Sequence, residues 1–237
     1  MLKKLFKIIV FFILFIVIGF GVLYYLYNEP LPTGESGPEA DALAYRMLDA
    51  LHYKNFNNTK IIEWSFRGDH SYKWNREKAI VKVSWKNNVV DLDLITPHSS
   101  KAYVDSESVS YETTQSLIED AQRYFNNDSF WLVAPFKVFD RGAERYLVDM
   151  EDGSEALLVT YTQGGDTPGD SYLWIIEPSG VPKSFKLWTK IIPIGGVEAS
   201  WEGWIETESG AILPTNHKFG PMSISMGEVK AYNQQSN

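Results

Sequence analysis

Hydrophobic residues follow three patterns along the chain, and the first is an uninterrupted run near its start. Ile8–Tyr27 contains twenty residues without a charged side chain, enough for a helix of roughly 30 Å, about the thickness of a bilayer core. Three lysines precede the run, and the next basic residue after it is Arg46. By the positive-inside rule, residues 1–27 are predicted to form a membrane anchor, with the rest of the chain outside the cytoplasm.

Two other interpretations of this segment stay open, a cleaved signal peptide and a buried core helix. Gly19-Phe20-Gly21 offers a weak small-x-small cleavage site. The apolar run nevertheless continues through Val22–Tyr27, beyond the length that a secretory signal needs. Its three tyrosines fit an interfacial aromatic belt. The chain has no cysteine and therefore no lipoprotein attachment site.

After the anchor, the pattern first becomes irregular and then helical. Residues 28–38 (NEPLPTGESGP) are rich in proline, glycine and acids, a composition typical of a flexible, extended spacer. Glu39–Tyr53 has apolar residues at helical spacing and acidic residues in its first turn, which predicts an amphipathic helix.

From Ile61 onwards the apolar residues recur at every second position, the period of half-buried antiparallel strands. Lys86–Val89 is predicted to form a tight hairpin. The predicted strands are Ile61–Arg67, Lys78–Lys86, Val89–Ile95, Lys101–Val104, Ser108–Tyr111, Glu144–Met150, Glu155–Gln163, Ser171–Glu177, Lys183–Ile191, Gly196–Thr207, Ala211–Phe219 and Ser223–Tyr232.

A helical pattern interrupts these strands in the middle of the chain. Gln115–Asn126 carries one apolar stripe, and Asn126–Ser129 is predicted to end that helix and cap a second one. Because the strands are short and evenly spaced, we expect a mainly β (α+β) domain over residues 39–237. Its predicted architecture is a strongly curved antiparallel sheet or open half-barrel, covered or plugged by helices.

This order of elements resembles the LolA-like fold. Tyr124–Lys137 (YFNNDSFWLVAPFK) also resembles a segment of uncharacterised bacterial envelope proteins of that fold. The resemblance covers Glu39–Tyr232 and implies a half-barrel plugged by helices, as in lipoprotein carriers. Combined with the apolar run and its charge asymmetry, a bacterial envelope location predicts an inner-membrane anchor with a cytoplasmic N-terminus and a periplasmic domain. Carriers shuttle freely, whereas a tethered chain is better suited to a stationary receptor or sensor.

Charge and composition exclude several functions. Beyond residue 44 the chain holds 19 basic and 26 acidic side chains, a net charge of −7, with no basic cluster. Nucleic acid is therefore not an expected partner. The lack of cysteine excludes disulfides, thiol catalysis and zinc–thiolate sites. We expect no cofactor.

Candidate catalytic and metal-binding residues are sparse. The four histidines are isolated, and the chain carries no HExxH, GxSxG or glycine-rich phosphate loop. A metal site from Asp69, His70 and His98 is one interpretation of these positions, but solvated turn residues are the favoured one. Glu202 and Glu206 share a strand face by parity, but lie on the order of 13 Å apart, wide for a glycosidase pair. We therefore predict no enzymatic activity and no metal site.

Aromatic and aliphatic residues on one parity of the strands are the main candidates for a binding site. If the strands share one curved sheet, these residues form a single apolar concavity. The mid-chain helices either fill this concavity or leave it open to an acyl chain. The set is Trp64, Phe66, Val81, Val83, Trp85, Leu92, Leu94, Trp174 and Trp201.

Two tryptophans fall on the opposite, polar parity. Trp188 and Trp204 are flanked by lysines and glutamates. They are predicted either to pack under a loop or to form an exposed platform for glycans or a protein partner.

Together these patterns predict a non-catalytic, membrane-tethered extracytoplasmic protein that binds a lipid, a lipoprotein acyl chain or a similar amphiphile in its concave face. The alternative is an envelope module that binds glycans or proteins on its outer face.

Overall fold

The computed structural model describes residues 2–164 and 167–234. Met1, residues 165–166 and residues 235–237, which the predicted anchor and domain boundaries include, lie outside the described residues. The helices are α1 (Leu2–Tyr27), α2 (Pro38–Ala50), α3 (Tyr53–Asn58) and α4 (Tyr111–Val133), with short 3-10 helices at Pro97–Ser99 and Ala134–Lys137.

The strands are β1 (Ile61–Phe66), β2 (His70–Asn75), β3 (Ile80–Trp85), β4 (Asn88–Asp93), β5 (Lys101–Val104), β6 (Glu107–Ser108), β7 (Ala143–Asp149), β8 (Glu155–Tyr161), β9 (Asp170–Ile176), β10 (Pro182–Thr189), β11 (Ile192–Ser200), β12 (Ile205–Glu206), β13 (Ile212–Leu213), β14 (Asn216–Phe219), β15 (Met222–Ser225) and β16 (Lys230–Tyr232).

Most strands belong to two antiparallel sheets of seven strands each. The first sheet has the order β16-β1-β2-β3-β4-β5-β6, and the second has the order β15-β14-β11-β10-β9-β8-β7. The sheets meet at β1, where the amides of Ser65 and Arg67 donate to the carbonyls of Met226 and Ser225. Neither sheet closes on itself, and the predicted fold class is confirmed.

Three details of the predicted strand pattern are wrong. His70 begins strand β2, which the sequence pattern missed because its alternation is polar-rich (HSYKWN). The strand predicted at Gly196–Thr207 ends at Ser200, and Gly203 then adopts a left-handed φ of 65° that interrupts it. The last two predicted strands are likewise split, into β13 with β14 and β15 with β16.

The two predicted mid-chain helices are one continuous helix, α4. Ser110 caps its start by accepting from the amide of Thr113 at 3.3 Å. The residues that were expected to break it, Asn126–Ser129, continue the helical backbone. Asp128 and Ser129 face the interior there, so their side chains make tertiary contacts instead of caps. Pro135 follows inside the closing 3-10 helix.

The N-terminal helix α1 projects away from these sheets. Its side chains from Lys3 to Tyr27 are almost all exposed, and it is long and apolar enough to cross a membrane. The spacer that follows is extended and hydrogen bonded to the second sheet. Glu29 donates its amide to the carbonyl of Gly195 at 3.0 Å, and Glu35 pairs with the edge strand β7 at Leu147. The chain therefore runs from the end of α1 directly along the second sheet.

Candidate functional site

Helix α4 lies between the two sheets and contacts the inner face of both. Phe125 packs against Trp64 and Trp74 of the first sheet, with ring centroids 6.2 and 5.3 Å apart. Two turns later, Trp131 packs against Phe185 of the second sheet at 5.7 Å. Helix α4 thus covers the part of the concave surface where the two sheets face each other, and α2 and α3 add Met47 and Phe56 to the same core.

All nine residues predicted to line a concavity lie in this core. Seven of them, Trp64, Val81, Val83, Trp85, Leu92, Trp174 and Trp201, are at most 7% exposed. Phe66 and Leu94 are half-buried and pack against the same cluster. The structure therefore brings the predicted set together on one surface, and α4 fills that surface instead of leaving a cleft over it.

The part of the core under the end of α4 is rich in aromatic rings. Trp174 lies 5.1 Å from both Trp201 and Phe185, and His217 lies 4.5 Å from Trp201 and 5.3 Å from Trp131. These rings come from β9, β10, β14, α4 and the residue that follows β11. Large planar side chains of this kind provide much of the apolar contact area in ligand sites as well as in cores.

Several polar atoms inside this core have no hydrogen-bond partner among the described residues. The Nε1 atoms of Trp64, Trp74, Trp174 and Trp201 are buried and unpaired, as is Tyr161 Oη. Buried polar groups in proteins are normally satisfied by protein or by water. An apolar surface with a few unpaired polar atoms has the composition of a small-molecule site.

His217 is the titratable group at the centre of these rings. Its Nδ1 lies 2.9 Å from the carbonyl of Ser200 and therefore donates to it. Burial lowers the pKa of His217 to about 4, against the opposing effects of the Ser200 and Trp131 carbonyls and the Glu202 charge. The imidazole is therefore neutral at physiological pH.

A buried carboxylate attaches α4 to the first sheet. Asp128 accepts a hydrogen bond from Tyr72 Oη at 2.6 Å and lies 2.7 Å from His70 Nδ1. Burial, reinforced by the charge of Asp128, raises the pKa of Tyr72 well above its ordinary value. Tyr72 therefore stays a hydrogen-bond donor to the carboxylate.

Sequence reasoning missed this polar cluster, although one signal of it was present. Asp128 stands at the i+3 position from Phe125 and at the i−4 position from Leu132, so it interrupts the apolar stripe of α4. A charged residue in such a stripe is almost never buried unless it is paired. Its partners on β2 were hidden, because His70 was interpreted as a turn residue.

The structure does not bring the other candidate residues into a metal or catalytic centre. His70 is bound to Asp128, and His98 lies in the 3-10 turn Pro97–Ser99. Within residues 2–164 and 167–234, no group of three or more histidine or acidic side chains is placed to hold a metal ion.

The predicted glutamate pair is divided between two structural elements. Glu202 forms an isolated bridge with Asn216 and an ion pair with Lys218 at 3.2 Å, whereas Glu206 belongs to β12. The shared strand face predicted for them is therefore wrong. Hydrogen bonds from Ser200 and Lys218 lower the pKa of Glu202, which is the opposite of what a general acid requires.

Glu206 instead lines an open surface groove of about 780 Å³. Glu63 and Lys73 form an ion pair there at 2.7 Å, and Tyr232 donates to the same carboxylate at 2.5 Å. The groove is mainly polar, and two of its charged side chains, Glu63 and Lys73, are paired with each other. None of the nine predicted ligand-binding residues lines it.

The two tryptophans on the polar parity are half-buried, and both indole N–H groups are used within the chain. Trp188 donates to the carbonyl of Glu29 at 2.8 Å, and Trp204 donates to the carbonyl of Pro182 at 3.3 Å. Trp204 also stacks on Trp201 at 5.9 Å. Each ring therefore packs against other residues of this protein, and only part of its surface is exposed to a partner on the outer face.

We expect Trp204→Ala to destabilise the domain by about 2 kcal/mol, because it removes a stacked, half-buried ring and leaves the Pro182 carbonyl without its donor. Urea unfolding followed by circular dichroism measures the loss. Tyr111→Ala, at a position that is 78% exposed, serves as control and should change stability by less than about 0.5 kcal/mol. Equal stabilities for the two variants would mean that Trp204 is a free surface platform.

Comparison with known proteins assigns no family to this fold. No protein-family model matches the chain, and no curated protein matches it significantly in sequence.

Proposed function

We propose that this protein is a non-catalytic, membrane-anchored receptor of the bacterial envelope that binds an acyl chain of a lipid or lipoprotein between its two sheets. Helix α1 is the anchor and, by the charge asymmetry around it, the sheets lie on the periplasmic side. One observation carries the proposal: helix α4 packs across both sheets, over an aromatic surface that contains unpaired buried polar atoms.

Binding requires α4 to act as a displaceable cover. Its buried face includes the polar side chains of Asp128 and Ser129, and Asp128 holds the helix to β2 through hydrogen bonds that must break when the helix moves. When α4 moves outward, an acyl chain replaces its apolar contacts with Trp64 and Trp174. The unpaired indole N–H groups are then available to a carboxylate, ester or amide at the end of that chain.

A brominated fatty acid tests this proposal, because bromine quenches tryptophan fluorescence on contact. All eight tryptophans follow residue 63, so none lies in the span. We expect dibromostearic acid to quench the emission of the full chain in lipid nanodiscs, and unbrominated stearic acid to leave it unchanged. Trp188, close to the end of α1, is replaced by Phe so that quenching from the bilayer surface does not contribute.

Cysteine labelling provides the second readout of the same experiment, since the native chain has no cysteine. Ala121 is fully buried on the inner face of α4, whereas the side chain of Arg123 on the same helix is 65% exposed. We expect stearic acid to accelerate maleimide labelling of Ala121→Cys and to leave Arg123→Cys unaffected. Unchanged labelling of Ala121→Cys together with unquenched tryptophans would show that α4 is a permanent part of the core, and would refute the proposal.

A further inference from the structure

The hairpin formed by β10 and β11 is hydrogen bonded to the residues that immediately follow the membrane-spanning helix. The amide of Gly195 donates to Asn28 Oδ1 at 2.9 Å, and the amide of Glu29 donates to the carbonyl of Gly195 at 3.0 Å. Trp188 on the other strand of the hairpin donates to the carbonyl of Glu29. The hairpin is therefore fixed to the chain one and two residues after Tyr27.

The turn of this hairpin points towards the span. The carboxylate of Glu29 bonds Lys186, four residues before Lys190 at the turn. Asn28, one residue nearer the span, instead lines a small surface pocket with Lys190 and Ile192. Glu29 therefore lies beside the middle of β10, whereas Asn28, which is closer to α1, lies beside the turn. Helix α1 lies beyond it and contacts β11.

The turn exposes an unusually apolar surface at that level. Ile191 is 72% exposed at the apex, next to the exposed Lys190 and Pro193. Two-residue hairpin turns normally carry glycine, asparagine or aspartate. On the adjacent helix end, Tyr25 is 87% exposed and Tyr27 is 65% exposed. Two separate elements therefore present apolar and aromatic side chains at the height where a bilayer surface meets the span.

From this arrangement we infer that the β10–β11 turn is a second membrane contact, whose partner is the lipid surface around α1. Ile191 enters the boundary between headgroups and acyl chains, and Lys190 extends its ammonium to the lipid phosphates. The inference rests on α1 spanning a bilayer, as in the proposed function, but not on acyl-chain binding. Its consequence is mechanical: contact at the span and at the turn holds the two sheets in one orientation on the membrane.

A fluorescent probe on a single cysteine tests the contact in the full chain, reconstituted in vesicles of phosphatidylethanolamine and phosphatidylglycerol. We expect bimane on Ile191→Cys to shift to shorter wavelengths and to lose most of its intensity when the lipids carry bromine near the carbonyl end of their chains. Ile95→Cys is the control, because Ile95 is similarly exposed at 79% but lies after β4 in the other sheet. Its emission should remain that of a water-exposed probe.

The outcomes separate this inference from the anchor itself. Retention of the chain in the membrane after an alkaline carbonate wash reports on α1 alone. If the chain is retained and the probe at position 191 is unquenched, the turn does not touch lipid and the inference is wrong. Equal quenching at positions 191 and 95 also overturns it, because contact would then not be specific to the turn. As a second variant, Lys190→Glu should weaken the quenching at position 191 if the ammonium binds lipid phosphate.

Discussion

Replacing Asp128 with alanine is expected to destabilise the protein by about 3 kcal/mol, because two donors on β2 then lose their shared acceptor inside the core. Tyr72 is 3% exposed and cannot exchange the carboxylate for bulk water. His70 stacks on Tyr124 of α4 at 4.1 Å, so its ring is also held in place. Urea unfolding of the reconstituted full chain, followed by tryptophan fluorescence, measures the difference in the free energy of unfolding.

Two further variants define what the carboxylate contributes. Asp128→Asn retains one oxygen acceptor for Tyr72 and should lose only about 1 kcal/mol. Asp120→Ala removes a carboxylate from the same helix that pairs with Arg123 at its surface, and should change stability by less than about 0.5 kcal/mol. If Asp128→Ala is no more damaging than Asp120→Ala, the cluster does not attach α4 to the sheet.

The same variant connects stability with the proposed binding. Asp128 ties the helix to the sheet at a position where a ligand must separate them. Loss of this tie favours the displaced position of α4, so Asp128→Ala should bind dibromostearic acid more tightly than the native chain if the cover model holds. If Asp128→Ala lowers the stability of the chain but does not raise its affinity for dibromostearic acid, the acyl chain enters elsewhere.

Alternation of apolar and polar residues was sufficient to predict the sheet, since one face of each strand is buried against α4. It succeeded best where the burial is one-sided, as in β3, whose pattern alternates between exposed and buried. It failed for β2, where His70, Tyr72 and Trp74 share one face and Ser71, Lys73 and Asn75 share the other, and the strand contains no aliphatic residue. Because its inward positions are a histidine, a tyrosine and a tryptophan, β2 lacks the aliphatic alternation that marked the other strands.

The helix prediction failed for a related reason. Asn, Asp and Ser favour helix ends because their side chains compete for local backbone groups. In α4 the Asp128 carboxylate is instead bound to residues 56 and 58 positions away in the sequence. Local sequence does not reveal which distant residues Asp128 bonds. The pattern therefore predicted a helix break at Asn126–Ser129, although in the folded chain the Asp128 carboxylate bonds β2 and does not compete for the backbone of α4.

Strand parity grouped the nine ligand-binding candidates on one surface, but it carries no information about what occupies the space above that surface. The amphipathic stripe of α4 shows that this helix packs on something apolar, yet the same stripe is expected of a permanent core helix and of a cover. Only the packing of Phe125 and Trp131 against opposite sheets identifies the helix as the element that fills the concavity.

Acidification is expected to destabilise the native chain through His217 by about 3 kcal/mol between neutral pH and pH 4. The folded state protonates this residue near pH 4, whereas its ordinary value is 6.5. Below pH 6.5 the unfolded chain therefore binds a proton that the folded chain does not, and stability falls as the pH falls. The contribution is fully present above pH 6.5 and is lost by about pH 4. Urea unfolding at a series of pH values measures the effect.

His217→Gln isolates this contribution, because glutamine keeps a donor for the Ser200 carbonyl and does not titrate. Carboxylates elsewhere contribute equally to both chains, so the informative quantity is the difference between their stability–pH curves. We expect the variant to be less stable at pH 7 and to lose about 3 kcal/mol less than the native chain on acidification. His98→Gln, at an exposed histidine, is the control for replacing a histidine by glutamine. Parallel curves for His217→Gln and the native chain would mean that the buried imidazole takes up a proton in the folded chain as readily as in the unfolded one. In that case the aromatic core already accommodates a charge, and the unpaired atoms around it are better suited to an ionic headgroup than to a neutral one.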